Sequence, residues 1–318
     1  MRPSRRPTPR PTSRAARRAA RRSPRRSARR SLALAALCLG LAVAPLGLNG
    51  APAGAASAAS GGIDDPACVL DAAHPDPVVL LHGLGANASE DINLLQSHLA
   101  GEGYCTWAFT YGAHPGFGFV GGLRPIADSA AEIRDRILAV LATTGASRVD
   151  LVGHSEGAFQ SLYVTKTQGI ADRIDSVVAI APPTHGTTFG GLYRLAYLFG
   201  AASRQLVDRV LTTFGCPACS DLGTDGTAVQ RLDDGPIAQP GVRYTVITSR
   251  TDLLVTPTET SFVREPGVVN QYVQDFCPLD PVGHLGEAYD PNVWRLVDNA
   301  LDPASAVTRF RCAVGFPL

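Results

Sequence analysis

Short, mainly apolar stretches alternate along this chain with stretches whose apolar residues recur every three or four positions. Cys105 to Phe109, Val149 to Val152, Ile174 to Ile180, Val242 to Thr248 and Val268 to Val273 read as strands with polar residues among the apolar ones, and Asp76 to Leu81 ends in a continuous apolar run. Stretches this short and mainly apolar are typical of strands buried on both faces of a parallel sheet. Between them, Asp91 to Ala100, Ile126 to Leu141, Ala158 to Thr167 and Pro291 to Leu301 predict helices. In the second of these, Ile126, Ile133, Ile137, Val140 and Leu141 recur at helical spacing. Strand and helix alternating in this way predict a mostly parallel, doubly wound α/β sheet. Two more amphipathic patterns, Leu192 to Phe199 and Leu206 to Phe214, flank an Ala-Ala-Ser break. They are expected to form short helices within residues 190–222, as a cap or lid over the strand ends or as ordinary crossovers.

Composition divides the chain. Thirteen of its 29 Lys and Arg, all of them Arg, fall in the first thirty residues, which hold no acidic residue. Ser31 to Leu48 is then almost wholly apolar, and small residues follow around Ala53-Gly54-Ala55 and Ala56-Ser57-Ala58. A basic stretch, an apolar stretch and a small-residue site make residues 1–58 an expected export signal, removed on secretion. Arg29-Arg30-Ser31-Leu32 loosely resembles a twin-arginine signal, so either that or the Sec route is open. Cys38 reads as a passenger in the apolar stretch. The remaining 59–318 is of a size for one domain. It carries 16 basic residues against all 28 acidic ones, a net charge of −12, which argues against a nucleic-acid partner.

Candidate chemistry centres on Gly153-His154-Ser155-Glu156-Gly157, a G-x-S-x-G sequence running from an apolar strand into a helix. The turn is too tight for side chains at its flanks, hence the glycines, and it thrusts the Ser155 hydroxyl out of the sheet. A serine is a weak nucleophile and needs a base, itself oriented by a carboxylate. His284 is the strongest base, in a loop after the last strand and before the last helix; His185 sits in a turn that reads as structural. The acid must end a strand between Ser155 and His284. Asp252 fits, with Asp275 and Asp280 as fallbacks. Two backbone amides, of Glu156 and of Leu84 in His82-Gly83-Leu84-Gly85, would hold a developing oxyanion.

These stretches, with Ala181 to Thr187 and Gln274 to Asp280, resemble the secreted actinobacterial lipases and esterases of lipase class 2, over about residues 75 to 302. Asp252-Leu253-Leu254-Val255 and Val282 to Gly286 are also similar to the acid and histidine loops of small, nearly lidless Bacillus lipases. The resemblance implies an α/β-hydrolase fold, Ser155, Asp252 and His284 as a catalytic triad, and no metal or other cofactor. The substrate would be an ester or lipid, including one at a lipid–water interface, and the protein a monomer. Glu156 and Ala158 depart from the Gln and Gly that such relatives often carry.

Six cysteines remain after the signal, an even number that points to disulfides in an exported chain. Cys216-Pro217-Ala218-Cys219 is a C-x-x-C, but it does not open a helix after a first strand as redox motifs do, so a structural bridge is expected. Pairings of Cys68 with Cys105 and Cys277 with Cys312 would each tie a loose terminus to a strand. The rival readings are a peptidase, thioesterase or polyester hydrolase with the same triad, and a non-catalytic binding protein on the same fold.

Overall fold

The computed structural model describes residues 61–188, 205, 212–213, 215–315 and 317. The expected export signal therefore lies outside the described residues, as does most of the expected cap up to residue 214.

Seven strands form one sheet: β1 (Gly62–Ile63), β2 (Val78–Leu81), β3 (Cys105–Ala108), β4 (Val149–His154), β5 (Ile174–Ile180), β6 (Arg243–Thr248) and β7 (Val268–Tyr272). Their order is β1-β3-β2-β4-β5-β6-β7, and every pairing is parallel. The mainly apolar stretches read from the sequence thus fall on the strands, because a parallel sheet covered on both faces has no solvated side to call for alternation. Gly62–Ile63 is a strand that the sequence reading lacked, being too short to show a pattern.

The longer helices are α1 (Asn93–Gly101), α2 (Ile126–Thr144), α3 (Glu156–Thr167) and α7 (Pro291–Leu301). Three short ones, α4 (Pro217–Asp221), α5 (Thr227–Asp233) and α6 (Val273–Phe276), complete the described set. Strand side chains alternate between two cores. Val79, Leu81, Leu151, Val177 and Val246 pack with Ile133, Ile137, Phe159 and Leu162 of α2 and α3. Val78, Leu80, Val152, Val178 and Ile247 pack with Leu95, Leu99, Val293 and Val297 of α1 and α7. Local chemistry sets the helix ends: Gly145 closes α2 in the left-handed region at φ 71°. At α7 the Asp290 carboxylate accepts from the Asn292 amide, with Pro291 in the first turn.

Disulfides join Cys68 to Cys105, Cys216 to Cys219 and Cys277 to Cys312. The first fastens the segment after β1 to β3, and the last holds the C-terminal stretch to the end of α6. Among the described residues no helix is long and apolar enough to cross a membrane.

The strand order places the site. From β2 the chain moves outward one way to β3, and from β4 it moves the other way through β5 to β7. β2 and β4 are neighbours, with Leu81 opposite Gly153. The crevice at the carboxyl ends of two such strands is where ligands bind in open α/β sheets.

Candidate active site

Ser155 is the residue between β4 and α3. Its backbone sits at φ 56°, ψ −119°, a strained conformation for a residue with a side chain. The flanking glycines are obligatory for the reason read from the sequence. A Cβ on Gly157 would lie 2.1 Å from the Leu81 carbonyl oxygen, and one on Gly153 would lie 2.3 Å from the Gly157 carbonyl. The Ser155 amide donates to the Ile180 carbonyl at 2.8 Å, fixing the turn to β5.

His284 Nε2 lies 2.8 Å from Ser155 Oγ, and His284 Nδ1 lies 2.8 Å from Asp252 Oδ2. Asp252 and His284 are both buried. The other Asp252 oxygen accepts from the amides of Leu254 and Val255 at 2.7 and 3.0 Å, so the carboxylate cannot rotate freely. The loops carrying acid and histidine are fastened together, because Ser249 and Thr251 both donate to the Val282 carbonyl. Of the fallback acids, Asp275 instead pairs with Arg250 and accepts from the Tyr272 amide. Asp280 accepts from the Val282 amide and from Asn292. His185 faces Asp233 and the Phe262 carbonyl, a structural position at the end of α5.

Gly83 and Leu84 line a cavity of about 160 Å³ together with Ser155 and His284; Pro183, Leu222, Leu254, Val255 and Leu285 give it a largely apolar wall. The peptide between Gly83 and Leu84 is oriented by His82, whose Nδ1 donates to the Gly83 carbonyl at 2.8 Å while its Nε2 accepts from the Tyr111 amide. Burial holds the His82 ring below its usual range and so keeps it neutral, as those two roles require. The Leu84 amide, on the other side of that peptide, is thereby fixed in direction.

Glu156 follows the nucleophile in sequence, but its side chain turns away from Ser155. Its side chain is completely buried near Gln160 and Tyr111, and Oε2 occupies the place a Cβ on Gly122 would need. Burial pushes its carboxyl well above the ordinary range, which favours the uncharged acid in the interior. Three residues with no role in the sequence reading also bear on the site. Glu287 is fully buried with Oε2 3.9 Å from His284 Nδ1, and burial followed by the Asp252 charge raises its carboxyl well above the ordinary range. Asp91 and His154 lie behind Ser155 and His284. No local pattern marks Glu287 or Asp91, and His154 stands at a variable position of Gly153-His154-Ser155-Glu156-Gly157 to which the motif gives no role. Asp252, His284 and Glu287 are also a cluster whose ligating atoms lie within 4.8 Å of one another. Here, though, His284 Nδ1 is already committed to Asp252.

Residues 76–215 match the family described as alpha/beta hydrolase fold. The chain has the α/β-hydrolase fold. Aspergillus fumigatus lipase B is similar in fold. The two superpose with a TM-score of 0.55 at 20% identity, over 78% of this chain and 57% of that one. A structure of the metagenome-derived lipolytic enzymes LipS and LipT gives a TM-score of 0.50 at 15% identity, over 73% and 97% of the two chains. In sequence, this chain is 34% identical over 70 residues to a triacylglycerol lipase of Pseudomonas fragi. That stretch is 22% of this chain and 23% of that relative's length.

Proposed function

We propose that the protein is a secreted serine carboxylic-ester hydrolase of the lipase and esterase type, working through an acyl-enzyme. The observation that carries this reading is the row Ser155–His284–Asp252, two contacts of 2.8 Å, opening onto an apolar-walled cavity. In the first step His284 Nε2 takes the Ser155 proton as Oγ attacks the ester carbonyl carbon. Asp252 holds the proton on Nδ1 and stabilises the imidazolium. The oxyanion is received by the amides of Leu84 and Glu156, the latter also at the positive end of α3. Collapse of that intermediate expels the alcohol with the proton from His284. Water, activated by the same histidine, then attacks the acyl-enzyme and releases a carboxylic acid and free Ser155. The wall of Leu254, Val255, Leu285 and Leu222 favours an alkyl acyl group, and the lipase relatives support a lipid ester. No step uses a metal or cofactor. The arginine-rich amino-terminal stretch and three disulfides support secretion.

The test is kcat/KM for p-nitrophenyl esters from acetate to palmitate, with purified Ser155→Ala alongside. Activity that reaches long chains and disappears in the variant is expected. Unchanged hydrolysis in Ser155→Ala would remove the nucleophile assignment; activity confined to acetate and butyrate would make the protein a short-chain esterase.

A further inference from the structure

Behind the proposed triad lies a second carboxylate–imidazole pair that takes no part in the steps above. His154 Nδ1 is 3.0 Å from both oxygens of Asp91, and His154 Nε2 is 2.9 Å from the backbone carbonyl of His284. Asp91 Oδ2 in turn accepts from the Gly83 amide at 2.7 Å. His154 is 2% exposed and Asp91 7%. We propose that Asp91 and His154 form a buried ion pair that positions the reacting groups, tying the Leu84 loop and the His284 loop to the strand that carries Ser155.

Counting donors leads there. A carbonyl oxygen can only accept, so Nε2 must carry a proton; Asp91, ionised and already accepting from Gly83, also accepts from the ring, so Nδ1 must carry the other. His154 is then an imidazolium. Its charged and titratable neighbours agree: burial opposes the charge, but Asp91 and, more distantly, Asp252 outweigh it and hold the ring above the ordinary histidine range. Asp91 is likewise pushed up by burial and brought below the usual carboxylate range by His154 and the Gly83 amide. The chain Gly83–Asp91–His154–His284 crosses from the end of β2, through the segment before α1 and the end of β4, to the histidine loop. Three parts of the chain far apart in sequence, around Gly83 and Asp91, at His154 and at His284, meet through three short contacts next to Ser155. The Gly83 α-carbon is so close that a Cβ there would meet Ser155 Cβ at 3.2 Å and His154 Nδ1 at 3.5 Å. A pair in this place sets the distance from His284 Nε2 to Ser155 Oγ and the direction of the Leu84 amide. Displacement of about 1 Å in such a constellation costs on the order of 100-fold in rate.

This inference rests on the proposed ester hydrolysis, and its test separates the two. Nitrogen-15 NMR of the wild-type protein should show both His154 ring nitrogens protonated at pH 8; a singly protonated ring would overturn the ion pair whether or not the protein hydrolyses esters. In kinetics, His154→Gln should lose about 10- to 100-fold in kcat with KM within about twofold. Its reaction with an active-site phosphonate should slow in parallel. Asp91→Asn combined with His154→Gln can rebuild the relay as neutral amides, with Gly83 donating to Asn, Asn to Gln and Gln to the His284 carbonyl. The double variant should therefore regain most of the lost kcat. A His154→Gln enzyme within threefold of wild type, or a double variant no better than the single one, would refute positioning, provided Ser155→Ala is inactive. If Ser155→Ala keeps full activity, the enzymatic reading has failed and the NMR result alone decides the pair.

Discussion

Replacing Asp252 by Asn probes the proposed triad most sharply, because the structure dictates how the amide must sit. One oxygen of Asp252 accepts from two backbone amides, of Leu254 and Val255, and the other faces His284 Nδ1. In the variant, turning the new NH2 toward those two amides would set donor against donor and forfeit two hydrogen bonds, roughly 1 kcal/mol each. The oxygen therefore stays on the backbone and the NH2 points at His284. Nδ1 then becomes an acceptor, the ring's one proton moves to Nε2, and the base is lost where Ser155 needs it. In serine hydrolases that tautomer error is worth about 10⁴-fold in kcat, or about 5 kcal/mol of transition-state stabilisation. Asp252→Ala makes no such error. It also removes the charge that helps keep Glu287 protonated, 3.9 Å from Nδ1, so Glu287 is free to ionise and orient the ring in part. We expect Asp252→Ala to be more active than Asp252→Asn, and Asp252→Ala/Glu287→Gln to fall to the level of the Asn variant. The assay is kcat for p-nitrophenyl butyrate from pH 6 to 9, with thermal melts to exclude unfolding. An Asp252→Asn enzyme within tenfold of wild type, or an Ala variant no better than the Asn one, would refute the reasoning.

Further outcomes follow from other parts of the fold. Asp150 is pushed up to about 7 from its ordinary 3.8, by burial first and then by Asp175 and Asp76, against the Ser176 hydroxyl and Arg243. With the folded value raised, its stabilising contribution is complete below about pH 4 and is lost as pH rises to about 7. Asp150→Asn should thus leave urea stability unchanged near pH 4 and raise it by up to about 4 kcal/mol at pH 8.5. Gly157→Ala drives a Cβ to within 2.1 Å of the Leu81 carbonyl, so activity and melting temperature should fall together. Gly85→Ala, whose new Cβ would meet nothing within 4 Å but sits at φ 73°, should cost only about 1 kcal/mol in thermal stability and leave the site intact. Replacing both Cys277 and Cys312 opens a closed segment with a sequence separation of 35, which chain entropy values at about 4 kcal/mol by denaturant unfolding.

Much of this molecule was written in local patterns. The central strands β2, β4 and β5 coincide with mainly apolar stretches, because a strand covered on both faces calls for apolar side chains, whereas the edge strand β7, Val-Val-Asn-Gln-Tyr, is only partly buried. The turn at Ser155 was legible because its glycines answer a purely local steric demand, met by Leu81 and the first turn of α3. Leu84, Ser155, Asp252 and His284 could be singled out because each follows a strand or closes a loop at the same end of the sheet.

What pairs with what was not legible. Three carboxylates followed Ser155 in plausible loops, and only the packing of the Ser249–Thr251 hydroxyls onto Val282 brings Asp252 to His284, leaving Asp275 to Arg250. Glu156 is next to the nucleophile in sequence, yet the helix turn sends its side chain inward under Gly122. Asp91 and His154 meet across 63 residues, and nothing local pairs them. Periodicity and steric need act within a few residues, so the sequence by itself determined which elements form and where a serine would be exposed. Hydrogen-bond partners and buried charges depend on surfaces brought together over long chain separations. Only the tertiary structure could decide those.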